Sequence, residues 1–141
     1  MKLVDANVLL YAVDENARHH DAARRWLDQA VSGADTVLLP WVCALAFLRL
    51  TTSSRIYENP LDIDDAIDIV AEWMRQPTVI TPEPEAGHLE RLRELLRDTG
   101  SGGNLVTDAH IAAIALQRRA TVVTFDSDFG RFPGVTWMRP G

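Results

Sequence analysis

Four aspartates of this chain occupy positions at which an acidic side chain has a chemical use. Asp5 ends a short apolar strand at the N-terminus, and Asp126 and Asp128 follow a β-branched, apolar run. Asp108 lies near the start of the alanine-rich, largely apolar segment 105–116, where burial of an ionised group is costly. Carboxylates in such places are candidate metal ligands or acid–base groups.

The segments around these aspartates predict a helix between two strands of a parallel sheet. Residues 105–116 have the composition of a buried helix, and residues 121–125 have that of a central strand. A helix that precedes a parallel strand runs antiparallel to it, so the helix begins at the C-terminal edge of the sheet. Asp108 and the aspartates that follow the two strands are therefore expected at one edge, where parallel sheets bind ligands.

Clustered carboxylates repel one another unless a cation holds them together. No lysine or histidine is interleaved with these aspartates, and oxygen ligands favour Mg²⁺ or Mn²⁺ over Zn²⁺. A cation at Asp5, Asp108 and Asp126 would neutralise a scissile phosphate, activate a bound water and stabilise the leaving oxygen. We assign Asn7 to the cap of the helix after the first strand and to support of the metal ligands.

Composition indicates one soluble globular domain over residues 1–141. Hydrophobic residues make up 47% of the chain and charged residues 24%, which are ordinary values for a folded protein. Cys43 is the only cysteine, so an intrachain disulfide is impossible, and we expect it to be a small buried hydrophobic residue. With neither a signal peptide nor a membrane span in the pattern, a cytoplasmic location is predicted.

The formal net charge of −6 argues against simple electrostatic binding to nucleic acid, but the acidity is regional. Residues 59–98 hold ten acidic and four basic residues, which leaves ten of each in the rest of the chain. No acid occurs between residues 36 and 57, and Arg49, Arg55 and Tyr57 in or beside the polar connection 51–60 are candidates for RNA contact. A solvated loop is the alternative for this segment.

Strands and helices alternate along the whole chain, which predicts an α/β fold. We expect a mostly parallel sheet of about five strands flanked by helices. The run 100–103 is interpreted as a flexible connector rather than a phosphate-binding loop. His19 and His20 are interpreted as solvated surface residues.

Short motifs along the chain resemble the PIN-domain ribonucleases. The motifs are Asp-x-Asn after the first strand, Asn-Leu-Val-Thr-Asp-Ala-His at the head of the buried helix, and Thr-x-Asp-x-Asp-Phe after the next strand. The Leu-Pro-Trp, Phe-Leu-Arg-Leu and Arg-Phe-Pro-Gly segments are similar to the VapC toxins of type II toxin–antitoxin systems. This resemblance implies a three-layer α/β/α fold and an endoribonuclease that depends on Mg²⁺ or Mn²⁺. It also implies inhibition by a VapB antitoxin and a homodimer.

The resemblance assigns a role to each aspartate. Asp5 and Asp108 match the central metal ligands of the family, Asp126 matches the third acid, and Asp128 matches a supporting one. Family members commonly carry a further glutamate in the helix after the second strand, near Ala44 or Ala46 of this chain, which has no acid there. We therefore expect one firmly held ion, with any second ion recruited by the substrate.

Other classes of function remain to be weighed against a nuclease. Receiver domains and aspartate-nucleophile phosphatases use a lysine late in the chain, but Lys2 is the only lysine here. A catalytically weakened PIN domain that binds RNA or protein is the remaining alternative, and the missing glutamate favours it. Alternatively, Asp126 and Asp128 form a plain turn, although four acids at one edge argue against that interpretation.

Overall fold

A five-stranded parallel sheet forms the centre of the protein. The computed structural model describes residues 1–100 and 102–141. Every pair of neighbouring strands is parallel, in the order β3-β2-β1-β4-β5. The strands are β1 (Lys2–Val4), β2 (Val37–Leu38), β3 (Val79–Ile80), β4 (Thr121–Val123) and β5 (Trp137–Met138). The predicted parallel α/β sheet is therefore confirmed.

Helices cover both faces of this sheet. In the described part of the chain they are α1 (Ala6–Val13), α2 (His20–Ser32), α3 (Trp41–Thr51), α4 (Ile63–Met74), α5 (His88–Thr99) and α6 (Leu105–Arg118). The connections β1 to β2 and β3 to β4 run in opposite directions across the sheet, so right-handed crossovers place their helices on opposite faces. Helix α1 packs on α2 and α3, whereas α5 packs on α6, as the three-layer arrangement requires.

Strand order reverses at β1, and this reversal locates the functional edge. The chain passes from β1 to β2 on one side and later enters β4 on the other side. A crevice forms at the C-terminal ends of two such strands, because their following connections diverge to opposite faces. The backbone N–H of Asp5 donates to the carbonyl oxygen of Val123 at 3.0 Å, which joins the two strand ends at this point.

Helix α6 is buried along most of its length, as its alanine-rich sequence predicts. Its buried residues are Leu105, Ala109, Ile111, Ala112, Ala113, Ile114 and Ala115. The helix ends at Arg119, whose left-handed conformation (φ 55°) lets its N–H bond to the last carbonyls and turns the chain into β4. Small side chains allow this close packing, which fixes the start of α6 beside the sheet edge.

The glycine-rich run 100–103 follows helix α5. The run 100–103, interpreted as a connector, includes Ser101, which lies outside the described residues. Helix α5 is capped by Gly100 in a left-handed conformation (φ 71°), which glycine adopts without the steric cost of a side chain.

None of the helices within residues 1–100 and 102–141 has the length and apolarity to cross a membrane.

We expect Phe47→Ala to lower the free energy of unfolding by about 3–5 kcal/mol. The Phe47 ring is fully buried and packs edge-on against Trp73 with ring centroids 5.0 Å apart, so its removal leaves a cavity between α3 and α4. Chemical denaturation followed by circular dichroism measures the change. Phe47→Leu is the control and should cost less than the alanine variant. A loss below about 1 kcal/mol for the alanine variant would contradict a tightly packed core at this position.

Candidate metal centre

Three aspartates come together at the C-terminal edge of the sheet. Asp108 lies in the first turn of α6, and Asp126 and Asp128 lie just beyond β4, where a 3₁₀ helix spans Ser127–Arg131. One carboxylate oxygen from each of the three lies within 4.8 Å of the others. Two oxygens bound to one Mg²⁺ at about 2.1 Å are at most about 4.2 Å apart. This group is therefore close to the spacing that a shared ion requires.

Asp5 lies outside this group of three but close to it, and it is more deeply buried. The residue is 7% exposed, and it lies close enough for its charge to raise the pKa of Asp108. Its Oδ1 accepts the N–H of Ala6 at 2.8 Å, and its Oδ2 accepts the hydroxyl of Thr124 at 2.8 Å. Each carboxylate oxygen has two lone pairs, so these bonds orient Asp5 and leave it able to face a cation.

Thr124 is a hydrogen-bonding node that the sequence-based assignment of site residues missed. Its side chain is fully buried, and its hydroxyl donates to Asp5 while accepting the Asn7 side-chain amide at 3.1 Å and the Asp126 N–H at 3.0 Å. One hydroxyl thereby connects the aspartate after β1 to the aspartate after β4. The signal was present in the Thr-x-Asp-x-Asp-Phe motif, whose threonine is Thr124.

The predicted capping role of Asn7 is wrong. Asp5 is the N-cap of α1, because its side chain accepts the N–H of Ala6, and Asn7 lies inside the first helical turn. The Asn7 side chain instead reaches across to the end of β4. Its amide nitrogen contacts Thr124 and lies 3.4 Å from Asp5 Oδ2, and its Oδ1 accepts the N–H of Phe125 at 3.1 Å. Asn7 thus ties α1 to the strand end that carries Asp126.

Asp126 and Asp128 have different surroundings. Asp126 caps the 3₁₀ helix by accepting the N–H of Asp128 at 2.9 Å, which fixes the relative positions of the two residues. The Asp128 side chain lies 3.9 Å from Nε of Arg131, and both side chains are about half exposed. An ion pair this exposed contributes little to stability, so it leaves the Asp128 carboxylate available for another partner.

The electrostatics of the site disfavour four ionised carboxylates in the absence of a cation. Burial, followed by the charges of Asp5, Asp126 and Asp128, raises the pKa of Asp108 to about 7. Burial also raises the pKa of Asp5, although the hydrogen bonds from Thr124 and Ala6 oppose that shift. A divalent cation would remove this repulsion, and an all-carboxylate donor set fits Mg²⁺ or Mn²⁺.

Helix α3 supplies no carboxylate to this site. Ala44 is fully buried in the core, and the Cys43 thiol, as expected, is buried in the same turn. Burial, followed by the nearby charge of Asp5, raises the pKa of Cys43 well above its ordinary value, so the thiol stays protonated. The neighbouring helix therefore presents a neutral surface to the aspartates.

The two arginines proposed for RNA contact lie at the surface, at and after the C-terminal end of α3. Arg49 is exposed in the last turn of α3, and Arg55 is exposed in the turn that follows this helix. Neither side chain forms an ion pair within the described residues. Both guanidinium groups are therefore positioned at the surface rather than in the metal centre.

The interpretation of His19 and His20 as solvated residues is wrong. The His19 ring stacks on Phe125 with centroids 4.5 Å apart and planes 11° apart, and Tyr11 packs on the same Phe125 ring. The Nδ1 atom of His20 forms a hydrogen bond with the carbonyl oxygen of Tyr11 at 2.8 Å. Tyr11 and His19 thus pack on Phe125, which stands between Thr124 and Asp126. The pattern of residues did not predict this cluster, because Phe125 is more than one hundred residues from the other members.

Known proteins are similar to this chain in sequence and in fold. Residues 2–135 match the model of the PIN domain family. Ribonuclease VapC37 of Mycobacterium tuberculosis is 49% identical over 140 residues, which cover 99% of this chain and 97% of that protein. Among solved structures, M. tuberculosis VapC20, a toxin that cleaves the sarcin–ricin loop, has a TM-score of 0.72 at 20% identity and covers 99% and 100% of the two chains. VapBC2 of Rickettsia felis bound to promoter DNA has a TM-score of 0.69 at 19% identity, with 99% and 98% covered.

Asp108→Asn is expected to stabilise the metal-free protein at pH 8, by on the order of 1 kcal/mol after a discount for partial exposure. The pKa of Asp108 is about 7 in the folded protein against 3.8 ordinarily, so folding is penalised as pH rises between these values. The advantage of the variant should therefore shrink as pH falls from 7 towards 4. Urea denaturation in EDTA at several pH values measures it.

The exposed Asp64→Asn on α4 serves as the matched control for this comparison, since it removes the same charge away from the site. Its effect should vary little over the same pH range. An Asp108→Asn variant that is less stable than the native protein at pH 8 in EDTA would contradict the repulsion described above.

Proposed function

Because the chain belongs to the PIN-domain family and, within it, to the VapC group, we propose that it is a metal-dependent endoribonuclease toxin of a type II toxin–antitoxin system. The observation that carries this proposal is the group formed by Asp108, Asp126 and Asp128, whose oxygens lie within 4.8 Å of one another beside the buried Asp5. A site of this composition suits a divalent cation and, through the cation, a phosphate.

In this proposal Asp5, Asp108 and Asp126 hold Mg²⁺ or Mn²⁺, and Asp128 supports them. A bound ion of this kind supplies charge neutralisation at the phosphate and acidifies a water for in-line attack. Thr124 and Asn7 hold the ligands in place, because their hydrogen bonds join Asp5 to the backbone that carries Asp126. The raised pKa of Asp108 reflects burial first and then repulsion from the neighbouring aspartates, and the ion would relieve that repulsion.

We expect one ion to be held firmly in the absence of substrate. The aspartate group supplies ligands for a single cation, and α3 adds no acid because Ala44 is buried and neutral. A second ion would then depend on phosphate oxygens of the RNA for its ligands. The affinity for the second ion would therefore depend on bound RNA, and the affinity for RNA would depend on that ion.

Substrate contact is assigned to the arginines near the end of α3. Arg49 and Arg55 are exposed, and no acid occurs between residues 36 and 57. Their guanidinium groups suit bidentate contacts to phosphate, which position an RNA without reading its sequence. The identity of the RNA and the cut site are set by contacts beyond these two residues.

The proposed partner is a VapB-type antitoxin, and the toxin is proposed to act as a homodimer. An antitoxin would inhibit the enzyme most directly by offering an arginine or lysine to the four carboxylates. Such a side chain would occupy the place of the metal and the phosphate, and it would relieve the same repulsion.

A second candidate function is a PIN domain that binds RNA or protein without cleaving it. The absence of an acid on α3 favours this alternative, since it removes one potential metal ligand from the edge of the site. The two functions differ in whether RNA is cut when metal is present, which a single assay decides.

We expect purified protein to cut RNA in Mg²⁺ or Mn²⁺ but not in EDTA, and Asp5→Ala and Asp108→Asn each to reduce the rate more than about 100-fold. The reason is that each variant removes a carboxylate oxygen from the proposed ion. Gel analysis of total RNA, followed by mapping of the cut sites, measures the activity. The exposed Asp64→Asn is the matched control and should cleave normally. Cleavage that persists in EDTA or in both variants would exclude the proposed mechanism.

A double variant, Asp108→Asn with Asp126→Asn, is expected to bind a basic-tailed VapB-type antitoxin at least about tenfold more weakly. The expected loss follows from removal of two carboxylates that would pair with the inhibitory side chain. Isothermal titration calorimetry of both proteins with the same antitoxin measures the difference. Unaltered affinity would show that inhibition does not operate through the acidic site.

A further inference from the structure

Trp41 is a large aromatic residue left in solvent beside the aspartates. It opens helix α3, and 48% of its surface is exposed. Tryptophan is highly buried on average in folded proteins, because its ring contributes most when it is removed from water. About half of Trp41 therefore remains outside the core and is open to a ligand.

The strand register places Trp41 at the functional edge of the sheet. Leu3 of β1 pairs with Leu38 of β2. Continuing this register by two residues places Pro40 beside Asp5. Neighbouring strands are about 4.8 Å apart, so the backbone of Trp41 lies within about 10 Å of Asp5. Side chains of a helix lean towards its N-terminus, which directs the indole of a first-turn residue over the sheet edge.

A buried residue of the same turn supports the position of this turn near the aspartates, although it points to the other side of the helix from Trp41. The Cys43 thiol is close enough to the metal centre that the charges of Asp5 and Asp108 both raise its pKa, in addition to the larger effect of burial. The first turn of α3 therefore forms one wall of the region around the aspartates. Trp41 is the exposed residue of that turn.

The composition of this helix face, with an exposed aromatic ring, an arginine and no acid, fits a single-stranded nucleic acid. Leu45 and Arg49 follow Trp41 at intervals of four residues, and both are exposed, so the three share one face of α3. Residues 36–57 contain two arginines and no acid, in a chain whose net charge is −6. An exposed aromatic ring can stack on a base, and a guanidinium farther along the same face can contact a phosphate of the same strand.

We propose that Trp41 is the stacking residue for a base of single-stranded RNA next to the scissile phosphate, with Arg49 contacting a phosphate farther along the strand. The inference rests on the proposed nuclease function. It adds the residue that holds the RNA strand in position beside the metal centre. Stacking on an indole tolerates every base, so Trp41 fixes the position of the RNA more than its sequence.

The first test is kinetic and uses the full chain with Mn²⁺ and a short single-stranded RNA of mixed sequence. Trp41→Ala should raise KM about tenfold or more, whereas Trp41→Phe should stay within about threefold of the native protein, because phenylalanine retains a stacking face. Both variants should change kcat by less than about threefold, since the metal ligands are untouched. Leu89→Ala is the matched control, because Leu89 is a 77% exposed residue on α5.

The second test separates this inference from the proposed function. Rapid mixing of the same RNA with the protein in Mg²⁺ should quench the fluorescence of the native protein before cleavage and leave Trp41→Phe unquenched, although Trp26, Trp73 and Trp137 remain. Quenching without cleavage in either metal would refute the nuclease function while supporting the stacking role. Cleavage with equal KM values for the native protein and Trp41→Ala, or equal quenching in both proteins, would overturn the stacking role alone.

The alternative role for Trp41 is an interface with a second copy of this chain. Light scattering of RNA-free samples compares the mass of the native protein with that of Trp41→Ala, and circular dichroism verifies that the variant is folded. We expect equal masses. A native dimer that becomes a monomer in Trp41→Ala would overturn the inference, because Trp41 would then be an interface residue.

Discussion

Repulsion between carboxylates is the constraint on which the functional edge depends. Asp108, Asp126 and Asp128, with Asp5 close to them, follow or begin elements of the packed core, which holds their backbones near one another. Helix α6 is buried along most of its length, and β1 and β4 are paired at the centre of the sheet. The packing of the apolar core therefore maintains an arrangement of charges that is unfavourable in the absence of a cation.

The fold and the positions of the aspartates followed from the order of the elements. Alternation of strands and helices predicts the parallel sheet, and the antiparallel relation between α6 and β4 predicts that Asp108 lies at the same edge as Asp126. These inferences succeed because the C-terminal ends of parallel strands share one edge, whatever the side chains are. The family resemblance added the VapC group, which the matched relatives support.

The side-chain contacts could not be predicted in the same way. Asn7 is a residue type that favours helix caps, yet Asp5 caps α1. The Asn7 side chain instead bonds to Phe125, which lies just beyond β4 and more than one hundred residues away. Thr124 and His19 take part in contacts of the same long range, at Asp5 and Phe125 respectively. Hydrogen bonds and ring contacts between distant segments depend on rotamers and on the exact approach of two elements, and sequence patterns describe neither.

The central claim is that one divalent ion resolves the repulsion at this edge. Crystals of the protein grown with Mn²⁺ and examined by anomalous diffraction test it directly. The account predicts one strong peak per chain between Asp108 and Asp126, with carboxylate oxygens at about 2.1 Å from the ion and Asp5 facing it. The absence of a peak at saturating Mn²⁺, or a peak held by other residues with these aspartates unchanged, would contradict the account.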